Sequence, residues 1–152
     1  MTVSFVTGDL FDPAHKFDAI GHGVNCKGLM GAGIAVAFKS KYPLMHKEYS
    51  VLCSQKHLQL GQVFPFRNAG AGPKWIYNIA SQYNPGPDGN YEALILGLQW
   101  VDFHARHHYV NTVGLPQIGC GIAGLEWDRV KKLVERKFSN THTRFVFVSL
   151  EE

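Results

Sequence analysis

Residues 17–34 read Phe-Asp-Ala-Ile-Gly-His-Gly-Val-Asn-Cys-Lys-Gly-Leu-Met-Gly-Ala-Gly-Ile. The first eight residues form a largely apolar run that is typical of a buried strand. A glycine-rich turn follows at residues 28–33. Residues 34–41 then favour a helix, with Lys39 and Lys41 in its last turn and Pro43 just beyond it. A strand, a glycine-rich loop and a helix therefore follow one another, which is typical of α/β proteins.

The same arrangement returns near the end of the chain. Residues 109–115 predict a strand, 118–124 read Ile-Gly-Cys-Gly-Ile-Ala-Gly, and 127–138 predict the last helix. Ligands of open α/β sheets bind beyond the carboxyl ends of the strands, where glycine admits close backbone approach and helix N-termini favour phosphate. We therefore predict that the two loops bind the two phosphates of one diphosphate ligand. The alternative is that both are ordinary turns.

The remaining segments continue the alternation of strands and helices. No linker divides them, so we predict one α/β domain over residues 1–152 with a largely parallel central sheet. The further predicted strands begin at Val3 and end near Gly8, and cover 62–66, 75–80 and 143–149; the further predicted helices cover 43–56 and 91–107.

Composition narrows the class of protein. Hydrophobic residues make up 45% and charged residues 18% of the 152, which excludes a disordered chain. A net charge of +3 excludes a strongly basic arm or an acidic tail. The three cysteines form no Cys-x-x-Cys pair, the first residues lack a signal-peptide pattern, and no apolar run approaches a membrane span of about 18 residues. We expect a cytoplasmic monomer without a membrane partner.

Two nucleotide-binding classes are excluded by their motifs. Residues 119–124 match G-x-G-x-x-G, but the dinucleotide fingerprint also needs an acidic residue about 20 positions on, and 140–148 contain none. The chain also has no G-x-x-x-x-G-K-[ST] sequence, which excludes the P-loop kinases and ATPases.

Three motifs in order resemble the macrodomain family along the whole chain. They are Gly-Asp-Leu-Phe at 8–11, His-Gly-Val-Asn-Cys at 22–26 running into Met-Gly-Ala-Gly-Ile-Ala at 30–35, and Pro-Gln-Ile-Gly-Cys-Gly at 116–121 running into Leu-Glu-Trp at 125–127. The likeness is to the branch with terminal ADP-ribose protein glycohydrolases and a yeast ADP-ribose 1''-phosphate phosphatase. It implies a three-layer α/β/α fold with a mixed, largely parallel sheet.

The resemblance also implies the ligand, ADP-ribose or an ADP-ribosylated protein, bound without a cofactor or metal. An aspartate at the position of Asp9 accepts from the adenine amino group, and an asparagine at that of Asn25 contacts a ribose. The alternatives are a turn aspartate and an asparagine that closes its own turn. The implied ligand-binding residues are Asp9, Leu10, Gly23, Val24, Asn25, Gly31, Ala32, Gly33, Ile34, Ile118, Gly119, Cys120, Gly121, Ile122, Ala123 and Gly124.

The chain departs from the glycohydrolases at two positions. Ser81-Gln82 stand where they carry a lysine, and Ala123 stands where they carry an aspartate, so a lysine adduct is not expected. The remaining catalytic candidates are a water held by the diphosphate and the side chains of His22, Asn25 and Gln82. His22 suits a general acid or base near neutral pH; the alternative is a packing histidine.

Three functions follow from these observations. The first hypothesis is hydrolysis of ADP-ribosyl groups from modified proteins. The alternatives are dephosphorylation of ADP-ribose 1''-phosphate and a reader that binds ADP-ribose without catalysis. Other patterns are given ordinary roles. We expect Cys120 to be a packing residue and Tyr83 either to pack or to cover the adenine. We expect His104 and His108 to lie on a helix surface rather than to form a metal site, and a solvated face rather than a nucleic-acid site at Lys131, Lys132, Arg136 and Lys137.

Overall fold

The computed structural model describes residues 2–150 and confirms the α/β fold. The strands are β1 (Val3–Thr7), β2 (Ala19–Val24), β3 (Val63–Arg67), β4 (Trp75–Ala80), β5 (Thr112–Leu115) and β6 (Arg144–Ser149). The helices are α1 (Ile34–Lys41), α2 (Pro43–Ser54), α3 (Tyr91–His107) and α4 (Trp127–Phe138), with 3₁₀ turns at Pro13–His15 and Gly121–Ala123.

Several boundaries differ from the sequence prediction by one to three residues, and the backbone conformation explains two of them. The last predicted strand before the second glycine loop starts at Thr112 rather than 109, since Tyr109 has a φ of 59° and lies 93% exposed. The second helix ends at Ser54 rather than 56, because Lys56 adopts a φ of 58°. Neither left-handed residue can continue a strand or a helix.

The strands form one six-stranded sheet in the order β1-β6-β5-β2-β4-β3. Every neighbouring pair is parallel except β3 and β4, which run antiparallel. The connection between those two strands is only residues 68–74, and such a short loop can make a hairpin but not a parallel crossover. The sheet is therefore mixed and largely parallel, as expected.

Helices cover both faces of the sheet. On one face, Leu94 and Leu98 of α3 and Val134 of α4 pack in a cluster with Val113 and Phe145 of the sheet. On the other face, residues of α1 and α2 pack on a second cluster, namely Phe38, Met45 and Tyr49 against Ile20 and Ile76. None of the helices within residues 2–150 has the length and apolar character needed to cross a membrane.

The parallel strands place the candidate site. Because β1, β2, β4, β5 and β6 run in one direction, the loops after them meet at one edge of the sheet. Both glycine loops leave this edge, one between β2 and α1 and the other between β5 and α4.

Candidate functional site

A cleft of about 1170 Å³ opens at the carboxyl edge of the sheet. Residues that follow or end all five parallel strands line it, including Asp9, Asn25, Gln82, Gln117 and Ser149. Every residue that the resemblance implies as a ligand contact lines this cleft except Gly124. Gly124 lies behind the second loop, where an added Cβ would be 3.5 Å from Pro87.

Asn25 builds the first glycine loop, residues 25–33. Its Oδ1 accepts from the backbone N–H of Lys27 at 2.9 Å and from the hydroxyl of Tyr49 at 3.0 Å. Its Nδ2 donates to the carbonyl of Leu29 at 2.8 Å. The side chain is only 7% exposed. Asn25 therefore closes its own loop, which is the alternative that the sequence left open, and it borders the cleft as an anchor.

The first loop ends at the start of α1. Gly33 is the N-cap, with a φ of 63°, and no side chain caps the helix there. The first N–H groups of a helix have no intrahelical acceptors, and the helix dipole favours an anion at this end. A Cβ added to Gly31 would meet no atom within 4 Å, so the loop backbone is open to the cleft.

The second glycine loop, residues 116–124, uses its glycines for two purposes. Gly119 has a φ of 78° and packs so tightly that an added Cβ would lie 2.7 Å from Leu125. Gly121 has a φ of 71°, yet an added Cβ would meet no atom within 4 Å. Gly119 is thus required by packing, whereas Gly121 presents bare backbone to the cleft.

The two loops lie side by side. A Cβ added to Gly33 of the first loop would be 3.5 Å from Cδ1 of Ile122 in the second. The side chain of Ile122 is 52% exposed, so it covers the cleft instead of filling the core. The two loops therefore lie on either side of the cleft, and residues of both line it.

Asp9 forms the turn that was its alternative role, and it also lines the cleft. Its Oδ1 accepts from the backbone N–H of Phe11 at 2.9 Å and so forms a turn after β1. The residue is exposed and lines the cleft. A carboxylate has a second acceptor oxygen, which can receive a donor from a ligand while the turn is kept.

His22 is not on the cleft, and the structure corrects its expected position. The side chain is fully buried, its ring stacks on Phe38 with centroids 3.8 Å apart, and Nε2 donates to Oδ1 of Asn78 at 2.8 Å. Burial lowers the pKa of His22 to about 4. Its burial and its stacking on Phe38 favour the alternative interpretation, a packing histidine.

This burial makes stability depend on pH. The unfolded state binds a proton on His22 below about pH 6.5, whereas the folded state resists it down to about pH 4. Neutral, buried His22 stabilises the folded state fully above pH 6.5. This stabilisation is lost as the pH falls from 6.5 to 4, and below pH 4 the free energy of unfolding no longer depends on the protonation of this group. Between pH 7 and 5 we expect His22→Gln to lose less free energy of unfolding than the natural protein, by about 2 kcal/mol. Urea denaturation at both pH values checks this, and parallel losses would contradict it.

The side-chain amide of Gln82 is also engaged in hydrogen bonds within the protein. Its Nε2 donates to the carbonyls of Asn84 at 2.7 Å and Gly86 at 3.0 Å, which shapes the proline-rich loop after β4. An amide nitrogen has two hydrogens, and both are used here. Gln82 lines the cleft, but only its oxygen remains to meet a ligand, as an acceptor.

Ionisable groups are scarce in the cleft. Among the lining residues only Asp9, Lys39, His46 and Cys120 titrate. Burial raises the pKa of the Cys120 thiol to about 11, so it is protonated at neutral pH and serves as packing. Lys39 and His46 were missed by sequence reasoning, because a position on α1 or α2 carries no sign of which helix face borders a ligand.

Ser81 is a further residue to which the sequence analysis assigned no role. It lies at the end of β4, borders the cleft and is fully buried, and its hydroxyl has no hydrogen-bond partner in the structure described. A Cβ added to Gly23 would lie 2.5 Å from the Ser81 oxygen, so the bare glycine makes room for this hydroxyl. Burying an unpaired hydroxyl is costly, which makes Ser81 a candidate to gain a hydrogen-bond partner when this end of the cleft is filled.

Of the features given ordinary roles, Cys120 lines the cleft and the others lie outside it. His104 is buried, at 7% exposure, instead of lying on a helix surface, because its ring packs against Trp75, Tyr77 and Trp100. His104 and His108 stack with ring centroids 3.8 Å apart, and Nδ1 of His104 pairs with the hydroxyl of Tyr77 at 2.8 Å. The described residues contain no group of three or more side chains able to hold a metal ion. Tyr83 packs against the ammonium of Lys27, which lies 4.3 Å from its ring.

Comparisons with known proteins agree with this architecture. The family profile described as Macro domain matches residues 22–134. The human ADP-ribose glycohydrolase is 30% identical over 97% of this chain and 91% of its own length. The ADP-ribose 1''-phosphate phosphatase of Lodderomyces elongisporus is 26% identical over 90% of this chain and 92% of its own. The solved macrodomain of Thermus aquaticus DarG superposes with a TM-score of 0.85 at 27% identity, covering 97% of each chain.

Proposed function

The chain belongs to the Macro domain family, and from this premise we propose that it binds ADP-ribose in the cleft and hydrolyses ADP-ribosyl groups from modified proteins. The observation that carries the proposal is the pair of facing glycine loops. Gly31 and Gly121 leave open space above their backbones, and Gly33 lies against Ile122 between them. Two rows of N–H groups at this spacing suit the two phosphates of one ADP-ribose.

The remaining lining residues then contact the adenine and the distal ribose of the ligand. Asp9, at the end of β1, is the acceptor for the adenine amino group. Gly23, Ser81 and Asn25, at the ends of β2 and β4, border the distal ribose and its leaving group. Asn25 acts by holding the first loop in shape, since its own polar atoms are paired within that loop.

Hydrolysis breaks the bond from the anomeric carbon of the distal ribose to the protein and adds water across it. The chain supplies binding and orientation for this step, and an attacking water is held by the diphosphate of the ligand itself. The proposal does not use His22 as the base, because its ring is buried against Phe38 of α1. Proximity of a bound water to the anomeric carbon is then the main source of acceleration.

A release assay tests the enzymatic activity. The protein is incubated with an auto-modified ADP-ribosyl transferase whose label is in the ADP-ribose, and free ADP-ribose is separated and counted. We expect label to be released with time in proportion to the amount of protein. Retention of all label at stoichiometric protein would contradict hydrolysis.

A reader of ADP-ribose is the second candidate function. The specific observation in its favour is that the cleft lacks the lysine and the aspartate expected of this branch. Ser81-Gln82, after β4, stand in the place of the lysine, and Ala123, in the loop after β5, stands in the place of the aspartate. Micromolar binding in isothermal titration together with retained label selects this function. Phosphate release from ADP-ribose 1''-phosphate with retained label selects the phosphatase instead.

Ser81→Ala provides a test that separates binding from folding. We expect the variant to be as stable as the natural protein or slightly more so, since an unpaired buried hydroxyl is removed. We expect ADP-ribose affinity to fall roughly tenfold, since the hydroxyl gains its partner from the ligand. Thermal unfolding and isothermal titration measure the two effects. Ser54→Ala, which removes an exposed hydroxyl bonded to Val51, is the control; unchanged affinity in Ser81→Ala would contradict the assignment.

A further inference from the structure

Helix α3 carries large apolar side chains on its outer face as well as its inner one. The inner face, including Leu94 and Leu98, is buried on the sheet. On the outer face, Leu96 is 57%, Trp100 37% and Phe103 52% exposed. Single exposed apolar residues are common, but three in sequence along one helix form a continuous apolar surface, and such surfaces mark interaction sites.

Five exposed residues share one side of α3. Residues Glu92, Leu96, Gln99, Phe103 and Arg106, which we call the α3 seam, follow one another at steps of four, three, four and three. This alternation keeps side chains on one side of a helix that pairs lengthwise with a partner. Trp100 flanks the seam and adds apolar surface to it.

The seam is complementary to itself. Glu92 and Arg106 lie equally far from Gln99 in sequence, on opposite sides of it, and Leu96 and Phe103 lie nearly so. If a second α3 is laid antiparallel across Gln99, the carboxylate of Glu92 meets the guanidinium of Arg106 at both ends, and Leu96 meets Phe103. The two Gln99 amides meet at the centre, where each can donate to and accept from the other.

We infer that the α3 seam is a two-fold interface between two copies of this chain. The partner is a second copy because the charges at the two ends of the seam are opposite, so that an antiparallel twin satisfies both at once, as a two-fold interface requires. Arg106 forms an ion pair with Asp102 through Nε, at 3.8 Å, and its side chain is 49% exposed. The other donors of its guanidinium can therefore reach a partner at the same time.

A dimer differs from the monomer that we expected from the sequence. Composition counts apolar residues but does not say which face of a helix they occupy, and only the packing of α3 on the sheet shows that Leu96 and Phe103 are left uncovered. None of the seam residues lines the cleft. The dimer therefore leaves the cleft open, and ADP-ribose binding and dimer formation can fail independently.

Sedimentation equilibrium from low to high micromolar concentrations tests the interface. We expect the natural protein to dimerise reversibly and Leu96→Glu to weaken the dimer at least roughly 100-fold, since a charge then replaces apolar contact at two places. Leu44→Glu on α2, where the side chain is 60% exposed, is the matched control and should dimerise normally. Circular dichroism confirms the fold of each variant. A natural protein that stays monomeric, or a Leu96→Glu variant that dimerises fully, would overturn the proposal.

Charge reversal tests the antiparallel arrangement. Glu92→Arg and Arg106→Glu should each weaken the dimer roughly tenfold, because like charges then face each other at both ends. The double variant restores both pairs and should recover most of the lost affinity. A double variant no tighter than the single ones would overturn the arrangement.

Discussion

Replacing Gly121 by glutamate is expected to abolish ADP-ribose binding. The backbone of Gly121 borders open space in the cleft, so the new side chain extends to where a phosphate lies in the proposed complex. A carboxylate about 4 Å from a phosphate oxygen costs about 4 kcal/mol near a protein surface, on top of the volume it fills. Affinity should therefore fall at least roughly 100-fold, as isothermal titration with ADP-ribose would measure.

Gly72→Glu is a matched control for this substitution. Gly72 also adopts a positive φ, of 95°, and an added Cβ there also meets no atom within 4 Å. It lies in the turn between β3 and β4, which does not border the cleft. Both variants bear the same backbone strain and the same charge, so only Gly121→Glu should lose affinity. Equal affinities in the two would contradict the assignment of the second loop to phosphate binding.

Replacing Asn25 by alanine should damage both the fold and the site. The variant loses the hydrogen bonds to Lys27 and Leu29 that close the first glycine loop, and the one from Tyr49. We expect a loss of about 1–3 kcal/mol in the free energy of unfolding. ADP-ribose affinity should fall roughly tenfold or more, because the loop must be ordered before its N–H groups can bind. Urea denaturation and isothermal titration measure the two losses.

Asn68→Ala separates these two effects. Asn68 closes the turn between β3 and β4 in a similar way: Oδ1 accepts from Gly70, and Nδ2 donates to Ala71 and Pro73. Its loss should lower stability but leave ADP-ribose affinity unchanged, since this turn is remote from the cleft. Comparable affinity losses in the two variants would show that Asn25 has no particular link to the site.

The sequence was sufficient for the elements and for the place of the cleft. Strand-like runs at 75–80 and helical spacing over 91–107 reproduce the observed β4 and α3. Glycines after β2 and β5 indicated the two loops, because a bare backbone next to a helix start is a local property that a sequence displays directly.

The roles of individual polar residues were harder to predict. His22, in β2, stacks on Phe38 of α1 instead of lining the cleft. Gln82 turns its amide towards the carbonyls of its own loop. These outcomes depend on which partner lies nearest in the fold, and a sequence does not state distances. The sequence did not indicate a role for Ser81, since an unpaired hydroxyl can be recognised only once its surroundings are packed.

A titration of ¹⁵N-labelled protein with ADP-ribose, followed by amide chemical shifts, tests the central claim most directly. If the two glycine loops hold the diphosphate, the amides of 31–34 and 119–122 should show the largest saturable shifts, while Gly72 and the turn around it stay unchanged. Shifts concentrated away from both loops, or none at saturating ADP-ribose, would contradict the account.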